Sequence, residues 1–367
     1  MTSISLFAPY QMGPHHLANR LVMNPMTRSR ADAHAVPTAI MVTYYGQRAG
    51  AGLIITEGIA PSPNGRGYAR TPGIWSAAQV EAWKPITNAV HAKGGKIFAQ
   101  FMHTGRIGHA ENLVDGGKIV SASAIAAPGQ MYTDSNGMQD HPVPHALTES
   151  ELVTTKAEFV TAAKNAIAAG FDGVELHGAN GYLLEQFMSP LTNIRTDAYG
   201  GSVANRIRYV VEVAQAVAAA IGADKTGIRL SPYGMAGGMA AYPEVDETYL
   251  ALTKALAAIG LVYLHIADHV AMGNPAIPDA FRADLHKAWP HTMIMGGSLD
   301  LASAEAAVNA GKTNLAGMGR AFLANPDLVS RLQGGLPLNP PDFSTFYAGG
   351  EKGYTDYPTA DAAIAAE

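Results

Sequence analysis

A short stretch near the middle of the chain groups three side chains that could act on one substrate. It reads His177-Gly-Ala-Asn180-Gly-Tyr182 and directly follows an apolar run. His177 and Asn180 are three positions apart around a glycine-bearing turn, so both can reach one oxygen atom. Two donors aimed at one oxygen stabilise negative charge that develops on it, and Tyr182 could then supply a proton. The cluster favours catalysis over a histidine that merely packs at a strand end.

Two glycine-rich turns near the end of the chain are suited to an anion. They read Gly296-Gly297-Ser298 and Gly317-Met318-Gly319-Arg320. Glycine lets backbone N–H groups approach a phosphate, a short helix predicted to begin at Ala321 directs its amino terminus there, and Arg320 adds positive charge. The alternative is that both turns only close the fold, with Arg320 at the surface. Phosphate binding is the preferred interpretation.

Arg229 and Gln100 each end an apolar run and suit a polar heterocyclic ligand. Gln100 offers both a donor and an acceptor, and Arg229 favours negative charge on the ligand. The alternative is a buried structural ion pair of Arg229 with Glu57 or Glu175, since a buried charge is costly without a partner.

Eight short apolar runs, each followed by a turn and an amphipathic stretch, must position these residues. The runs are Leu21–Met26, Gly52–Glu57, Ile97–Met102, Gly173–His177, Gly227–Ser231, Leu261–Ala267, Thr292–Gly296 and Asn314–Gly319. Near-continuous apolar runs are typical of strands buried on both faces. The alternation predicts one (β/α)₈ TIM barrel over residues 1–367, with the polar residues above at its chemically active carboxyl face. Two dinucleotide-binding halves are the alternative, but no GxGxxG turn follows an early strand.

The connections predict a cap and three helix starts. Residues 104–147, after the third run, are too long for a simple turn and predict a capping insertion over the barrel mouth. Histidines in and beside this insertion lack metal-ligand spacing, so no metal site is predicted. Thr148 to Glu151 form a capping-box sequence for a helix that Gly170 ends, and Ser202 and Asp246 are predicted to cap the next two helices.

Composition excludes several classes of protein. The 367 residues are 48% hydrophobic and 15% charged, with a net charge of −5, which argues against nucleic-acid or membrane partners. The absence of cysteine excludes disulfides, iron–sulfur clusters and a cysteine nucleophile. No secretory signal or membrane span is recognisable, so a cytoplasmic enzyme is expected. No lysine ends a predicted strand, which disfavours a Schiff-base aldolase.

The longest motif resembles the Old Yellow Enzyme family. It runs from His177 through Leu183-Leu-Glu-Gln-Phe-Met-Ser-Pro190 and continues to Asn205-Arg206. Asn24-Pro-Met-Thr27, Gly317-Met-Gly-Arg320 and the tail from Thr345 to Pro358 agree as well, so the resemblance covers nearly the whole chain. Within the family, the chain resembles bacterial alkene and nitro-ester reductases. Two departures are Asn180, where many members have histidine, and Met102, where many have tryptophan.

The resemblance implies an FMN-dependent ene-reductase. FMN would take hydride from NADPH or NADH and reduce activated alkenes (α,β-unsaturated carbonyls, maleimides and nitroalkenes), with nitro esters and nitroaromatics as further substrates. His177 and Asn180 would bind the substrate oxygen, and Tyr182 would protonate the α-carbon. The substrate pocket would also include Tyr68, Met102 and Tyr347. The implied cofactor-binding residues are Pro25, Met26, Thr27, Gly58, Gln100, Arg229, Gly297, Ser298, Gly319, Arg320 and Phe346.

Two other functions are compatible with the same barrel. An FMN-dependent oxidase or dehydrogenase of a hydroxy acid or amine would need a base, whereas a tyrosine beside paired donors serves reduction better. A non-catalytic flavin carrier has no use for three aligned polar groups. The expected partners are small activated alkenes and phenolic ligands, with the chain as a monomer or homodimer.

Overall fold

Eight parallel strands form a closed barrel in the computed structural model, which describes residues 4–361. Strands β1 to β8 are Leu21–Met23, Leu53–Ile59, Ile97–Phe101, Gly173–Gly178, Thr226–Leu230, Tyr263–Ala267, Thr292–Gly296 and Leu315–Met318. Each strand pairs with the next, and β8 closes on β1 by pairing Ala316 with Leu21. The predicted fold is confirmed, and each predicted strand is present with its ends moved by at most a few residues.

The α-helices of the described residues pack around the barrel. Helices α1 to α10 are Ala39–Gln47, Ala77–His91, Glu149–Ala168, Leu183–Met188, Val203–Ile221, Val245–Ile259, Asp279–Ala288, Leu301–Asn309, Arg320–Ala324 and Leu328–Gly334. An apolar stripe at helical spacing decides which face is buried. In α5, for example, Ile207, Val210, Val213 and Val217 are buried.

Two of the three predicted helix caps are confirmed. Thr148 accepts the N–H of Glu151 and completes a capping box, and Ser202 accepts the N–H of Asn205. The third prediction is wrong: α6 begins at Val245 with Glu244 at the cap position, so Asp246 lies within its first turn. There the Asp246 carboxylate accepts a hydrogen bond from the Tyr233 hydroxyl, and its charge still favours the helix amino terminus.

A hairpin closes the amino-terminal end of the barrel. Tyr10–Met12 pairs antiparallel with His15–Leu17. Met12 and Leu17 are buried in a cluster with residues at the starts of the strands, including Leu53 and Tyr263. The barrel interior is therefore filled with apolar side chains at this end.

The segment 104–147 contains its own small elements. Val120–Ser121 pairs with His145–Ala146, Gln130–Thr133 pairs antiparallel with Gly137–Asp140, and a 3₁₀ turn spans Ala110–Asn112. Ile107 and Met131 from this segment pack together with Tyr68 and Tyr182. These contacts at the barrel mouth support the interpretation of 104–147 as a capping insertion.

Histidines in and beside the insertion have structural partners. The Gly105 N–H donates to His103 Nδ1, and His141 Nδ1 lies 3.2 Å from the Gly108 carbonyl. His145 is 2.8 Å from the Glu151 carboxylate. Within residues 4–361, no three potential ligands are grouped so that they could hold a metal ion. None of the helices in that range is long and apolar enough to cross a bilayer.

Buried arginines attach the carboxyl-terminal segment to the barrel. Arg28 donates to the carbonyls of Phe346 and Gly353 at 3.1 and 2.6 Å. Arg30 donates to the Phe346 carbonyl as well, at 2.9 Å, and Arg48 reaches the Tyr354 carbonyl at 3.3 Å. These bonds satisfy buried guanidinium groups, which would otherwise be costly. They hold the segment around Phe346 at the open end of the barrel.

Candidate active site

Two neighbouring cavities open at the carboxyl ends of the strands. The glycine-lined cavity, of about 400 Å³, is bordered by Asn24, Pro25, Met26, Arg229, His269, Gly296, Gly297, Ser298, Gly319 and Arg320, among others. The tyrosine-lined cavity, of about 790 Å³, is bordered by Thr27, Tyr68, Arg70, Ile107, Met131, Tyr182, Phe343 and Tyr347, among others. The segment from Asn24 to Thr27 contributes to both cavities. The mouth therefore offers space for a cofactor and an adjoining substrate.

The loop after β4 holds Asn180 in a strained conformation. Asn180 has φ +61°, a left-handed value that asparagine tolerates better than most residues, and Gly181 has φ +77°. A Cβ on Gly181 would lie 2.5 Å from the Ala236 carbonyl oxygen, so glycine is required there. The Asn180 N–H donates to Ser231 Oγ at 2.9 Å. The backbone of the loop is therefore fixed.

Glu185 on α4 stabilises this loop through hydrogen bonds to its carboxylate. Its carboxylate accepts the Gly181 N–H at 2.5 Å and hydrogen bonds from the hydroxyls of Ser231 and Tyr249. Burial raises the pKa of Glu185 to about 7, although these three donors act in the opposite direction. No role for Glu185 or Ser231 was predicted from the sequence. The features that could have indicated such a role are the position of Glu185 inside the family motif and the position of Ser231 directly after β5.

His177 is a neutral hydrogen-bond donor. Its Nδ1 accepts the Ala179 N–H at 3.3 Å, so the ring hydrogen must be on Nε2. Burial, followed by the charge of Arg229, lowers the pKa of His177 well below its usual value. The ring packs edge-on against Tyr182, with 4.9 Å between centroids. His177 thus lies between Tyr182 of one cavity and Arg229 of the other.

The Asn180 amide also has a defined partner. Its Oδ1 lies 2.7 Å from His269 Nε2, which leaves the Nδ2 hydrogens as donors. His177 near the end of β4 and Asn180 on the loop that follows therefore each have N–H hydrogens available to donate. His269 belongs to the turn after β6 and was not singled out in the sequence.

Tyr182 is hydrogen-bonded to a second tyrosine. Its hydroxyl lies 2.9 Å from that of Tyr68. Burial, followed by the neighbouring Tyr68, raises the pKa of Tyr182 well above its usual value near 10. Burial raises the pKa of Tyr68 as well. Tyr182 consequently keeps its proton throughout the neutral range.

The side chains of Arg229 and Gln100 differ in their hydrogen-bond partners. Gln100 donates to Glu175 Oε1 at 2.8 Å, and His265 Nδ1 lies 2.9 Å from the other oxygen. Arg229 hydrogen-bonds to neither Glu57 nor Glu175, and its buried Nε has no partner among the described residues. Burial lowers the pKa of Arg229, although Glu175 acts against that shift. A buried guanidinium whose Nε has no partner, beside a cavity, fits an electron-rich cofactor edge.

The glycine-lined cavity has groups that can bind an anion. Arg320 is exposed, makes no ion pair with any described residue, and lies 5.5 Å from the centroid of the Phe343 ring. It is the first residue of α9, one position before the predicted start at Ala321. Gly297, Ser298 and Gly319 border the same cavity. Arg320 and these backbone groups are therefore able to bind a phosphate.

Six of the predicted residues do not line either of the two cavities, namely Gly58, Gln100, Met102, His177, Asn180 and Phe346. The Phe346 ring stacks on the Phe343 ring, with 4.9 Å between their centroids. Phe343 borders the tyrosine-lined cavity, whereas Phe346 does not. Gly58, within β2, is in close contact with Met102: a Cβ there would lie 2.5 Å from the Met102 sulfur. Met102 is buried against this glycine. Tyr347, by contrast, borders the tyrosine-lined cavity as an exposed residue at its rim.

Comparison with known proteins defines the class of enzyme. Residues 5–339 match the NADH:flavin oxidoreductase / NADH oxidase family, so the protein is a flavin-dependent oxidoreductase. It is 44% identical over 366 residues to a chanoclavine-I aldehyde reductase of Penicillium roqueforti, covering 96% of this chain and 95% of the relative. It is 40% identical to a probable flavin mononucleotide-dependent alkene reductase of Leishmania infantum, covering 96% and 97%.

A solved structure agrees with these relatives. Morphinone reductase in complex with tetrahydroNAD superposes with a TM-score of 0.92 at 41% identity, covering 98% of this chain and 99% of that one. The chain belongs to the Old Yellow Enzyme family. This finding confirms the predicted family and enzyme class, and the predicted use of FMN with a nicotinamide hydride donor.

Proposed function

We propose that the protein is an ene-reductase that uses NAD(P)H to reduce activated alkenes such as α,β-unsaturated carbonyls, maleimides and nitroalkenes. Nitro esters and nitroaromatics are further substrates within the proposal. The observation that carries it is the position of two neutral donors and a protonated tyrosine within six residues: His177 near the end of β4, and Asn180 and Tyr182 on the fixed loop that follows. A cytoplasmic location and a monomeric or homodimeric state remain predictions from the sequence.

The chain's own residues fit FMN at the barrel mouth. Gly297, Ser298, Gly319 and Arg320 would hold its phosphate, and Arg229 and Gln100 would bind the polar edge of its ring. Pro25, Met26, Thr27 and Gly58 would lie along the ring, with Phe346 nearby. When bound, FMN supplies the group that accepts hydride from the nicotinamide and passes it to the alkene.

The substrate would occupy the tyrosine-lined cavity, between Tyr68 and Tyr347. His177 Nε2 and Asn180 Nδ2 would donate to its carbonyl or nitro oxygen, where negative charge grows as hydride reaches the β-carbon. Two preorganised donors lower the energy of that charge more than water does. Tyr182 would then deliver its proton to the α-carbon. Met102 would lie behind this cavity against Gly58.

The residues favour reduction over oxidation of a hydroxy acid or amine. An oxidase of that kind needs a base to take the substrate's proton. Tyr182 is a poor base at neutral pH because its raised pKa keeps it protonated. His177 is also unsuited, since its Nδ1 is occupied by the Ala179 N–H and its pKa is lowered.

Anaerobic mixing tests the proposed function. The FMN-loaded protein is mixed with NADPH or NADH, and then with 2-cyclohexenone, while the absorbance of the flavin is followed. We expect bleaching in the first step and full recovery in the second, with cyclohexanone as product. Bleaching without recovery would contradict alkene reduction. Bleaching by lactate or an amine instead of NAD(P)H would favour the oxidase, and bound FMN without either step would favour a carrier.

Removal of the Arg320 side chain is expected to weaken FMN binding. Arg320→Ala loses charge-assisted hydrogen bonds of about 1.5–3 kcal/mol, which corresponds to one to two decades in affinity. Fluorescence titration of the apoprotein with FMN measures this change. Arg208→Ala is a matched control. Arg208 lies on α5 and is also exposed, but it donates hydrogen bonds to the Ala198 carbonyl and to Asn205 Oδ1. Unchanged affinity in Arg320→Ala would place the phosphate elsewhere.

A further inference from the structure

His269 meets Asn180 across the barrel mouth. The two residues are 89 positions apart, on the turns after β6 and β4, and His269 Nε2 lies 2.7 Å from Asn180 Oδ1. An amide oxygen accepts hydrogen bonds and cannot donate them, so His269 Nε2 must carry the hydrogen. The contact therefore specifies a direction: His269 donates and the oxygen end of the amide accepts.

The position of His269 is fixed by its own turn. The preceding residue, Asp268, donates its N–H to the Gly296 carbonyl at 2.7 Å, and its carboxylate is paired with Arg282. The His269 carbonyl accepts the Met272 N–H at 2.8 Å. These bonds connect the turn to β7 and α7, so the imidazole is presented to Asn180 by a supported backbone.

The Asn180 amide depends on this one contact for its orientation. Ser231 fixes the Asn180 backbone. Among residues 4–361, the hydrogen-bond partner of the Asn180 amide group is His269. The two ends of an amide are almost the same size but opposite in hydrogen-bonding character. A half-turn of the side chain would present an acceptor, instead of a donor, to the oxygen of a ligand.

We propose that His269 is a positioning residue that holds the Asn180 amide with its nitrogen directed at the oxygen of the bound ligand. The inference rests on the oxygen-binding role given to Asn180 in the proposed function and adds the group that enforces it. His269 contributes through Asn180 and is not assigned any contact with the substrate.

The surroundings of His269 support a neutral donor. Burial, followed by the charge of Arg229, lowers the pKa of His269 to about 4, while Asp268 acts in the opposite direction. At neutral pH the ring therefore has a single N–H, and the contact with the Asn180 oxygen uses it. A glutamine at this position could supply a comparable N–H, whereas leucine could not.

The test measures ligand affinity in the FMN-loaded, full-length protein. p-Hydroxybenzaldehyde supplies a phenolate oxygen, and its binding is followed through a broad long-wavelength charge-transfer band. His269→Leu is expected to weaken binding about 2- to 12-fold, the equivalent of one neutral hydrogen bond. His269→Gln should restore most of the lost affinity. His16→Leu, at an exposed position in the hairpin at the opposite end, is the matched control.

A double-mutant cycle separates positioning from general damage. If His269 acts through Asn180, His269→Leu should cause no further loss in an Asn180→Ala background. A loss of the same size in both backgrounds would overturn the inference, as would a His269→Gln variant as weak as His269→Leu. A parent protein without any band would also overturn it, because the amide would then present no donor to a ligand oxygen.

The outcome is distinguishable from failure of the proposed function. Flavin absorbance after gel filtration shows whether each variant retains its FMN, which excludes cofactor loss as the cause of weaker binding. Coupling between His269 and Asn180 without turnover of 2-cyclohexenone would support the positioning role and contradict the ene-reductase. Turnover of 2-cyclohexenone without coupling between His269 and Asn180 would support the ene-reductase and contradict the positioning role.

Discussion

Tyr182→Phe is expected to slow reoxidation of the reduced enzyme by 2-cyclohexenone by ~10²–10⁴-fold, the loss typical of a removed general acid. The substitution leaves the ring and its edge contact with His177 in place and removes only the hydroxyl. Hydride transfer from NAD(P)H needs no proton from this tyrosine, so reduction of the flavin should remain nearly unchanged. The two half-reactions therefore separate a lost proton donor from a damaged site.

Stopped-flow absorbance of each half-reaction measures the effect. Tyr10→Phe is the matched control, because Tyr10 also shares its hydroxyl with one partner, Thr292, but at the amino-terminal end of the barrel. Equal losses in both half-reactions, or no loss with 2-cyclohexenone, would remove Tyr182 from the mechanism. With 1-nitrocyclohexene, turnover should continue while nitronate accumulates, since that anion is stable enough to leave and take its proton from water.

His177→Phe is expected to slow the same reoxidation by ~10²–10³-fold, the loss seen when one donor to a developing oxyanion is removed. Phenylalanine preserves an aromatic ring against Tyr182 but has no N–H to direct at the substrate oxygen. Reoxidation by 2-cyclohexenone under single-turnover conditions measures the loss, and the FMN content of the variant shows that the cofactor site is intact.

His16→Phe provides the control for this substitution, because it makes the same chemical change on the exposed face of the amino-terminal hairpin. A rate within twofold of the parent for His177→Phe would mean that Asn180 alone, or another group, stabilises the oxygen. A loss confined to FMN binding would instead assign His177 to the cofactor.

Local sequence patterns were sufficient to predict the barrel and two of its helix caps. The strands were predictable because buried parallel strands are apolar on both faces, and the helix caps at Thr148 and Ser202 because capping depends on neighbours three residues away. Asp246 shows the limit of that reasoning. An acidic residue stabilises a helix amino terminus both from the cap and from the first turn, so its type does not decide its position.

The groups that orient the site could not be predicted in the same way. Glu185 and Ser231 are 46 positions apart, and His269 and Asn180 are 89 apart, and each pair meets only because the barrel brings its strand ends together. Composition gives no sign of which buried acid accepts which donors. The unpartnered Nε of Arg229 was equally inaccessible, because whether a buried arginine meets an acid depends on how the barrel arranges the neighbouring strands.

The pairing of the last barrel strand with the first has a consequence for synthesis. Ala316 pairs with Leu21, so the sheet has two open edges until nearly the whole chain has left the ribosome. At about 5–20 residues per second, the nascent β1 edge waits roughly 15–60 s for its partner. Unpaired edges invite association with other chains. We therefore expect chaperone demand to fall sharply once translation passes β8, and a stop codon before Leu315 to yield aggregates instead of a smaller folded protein.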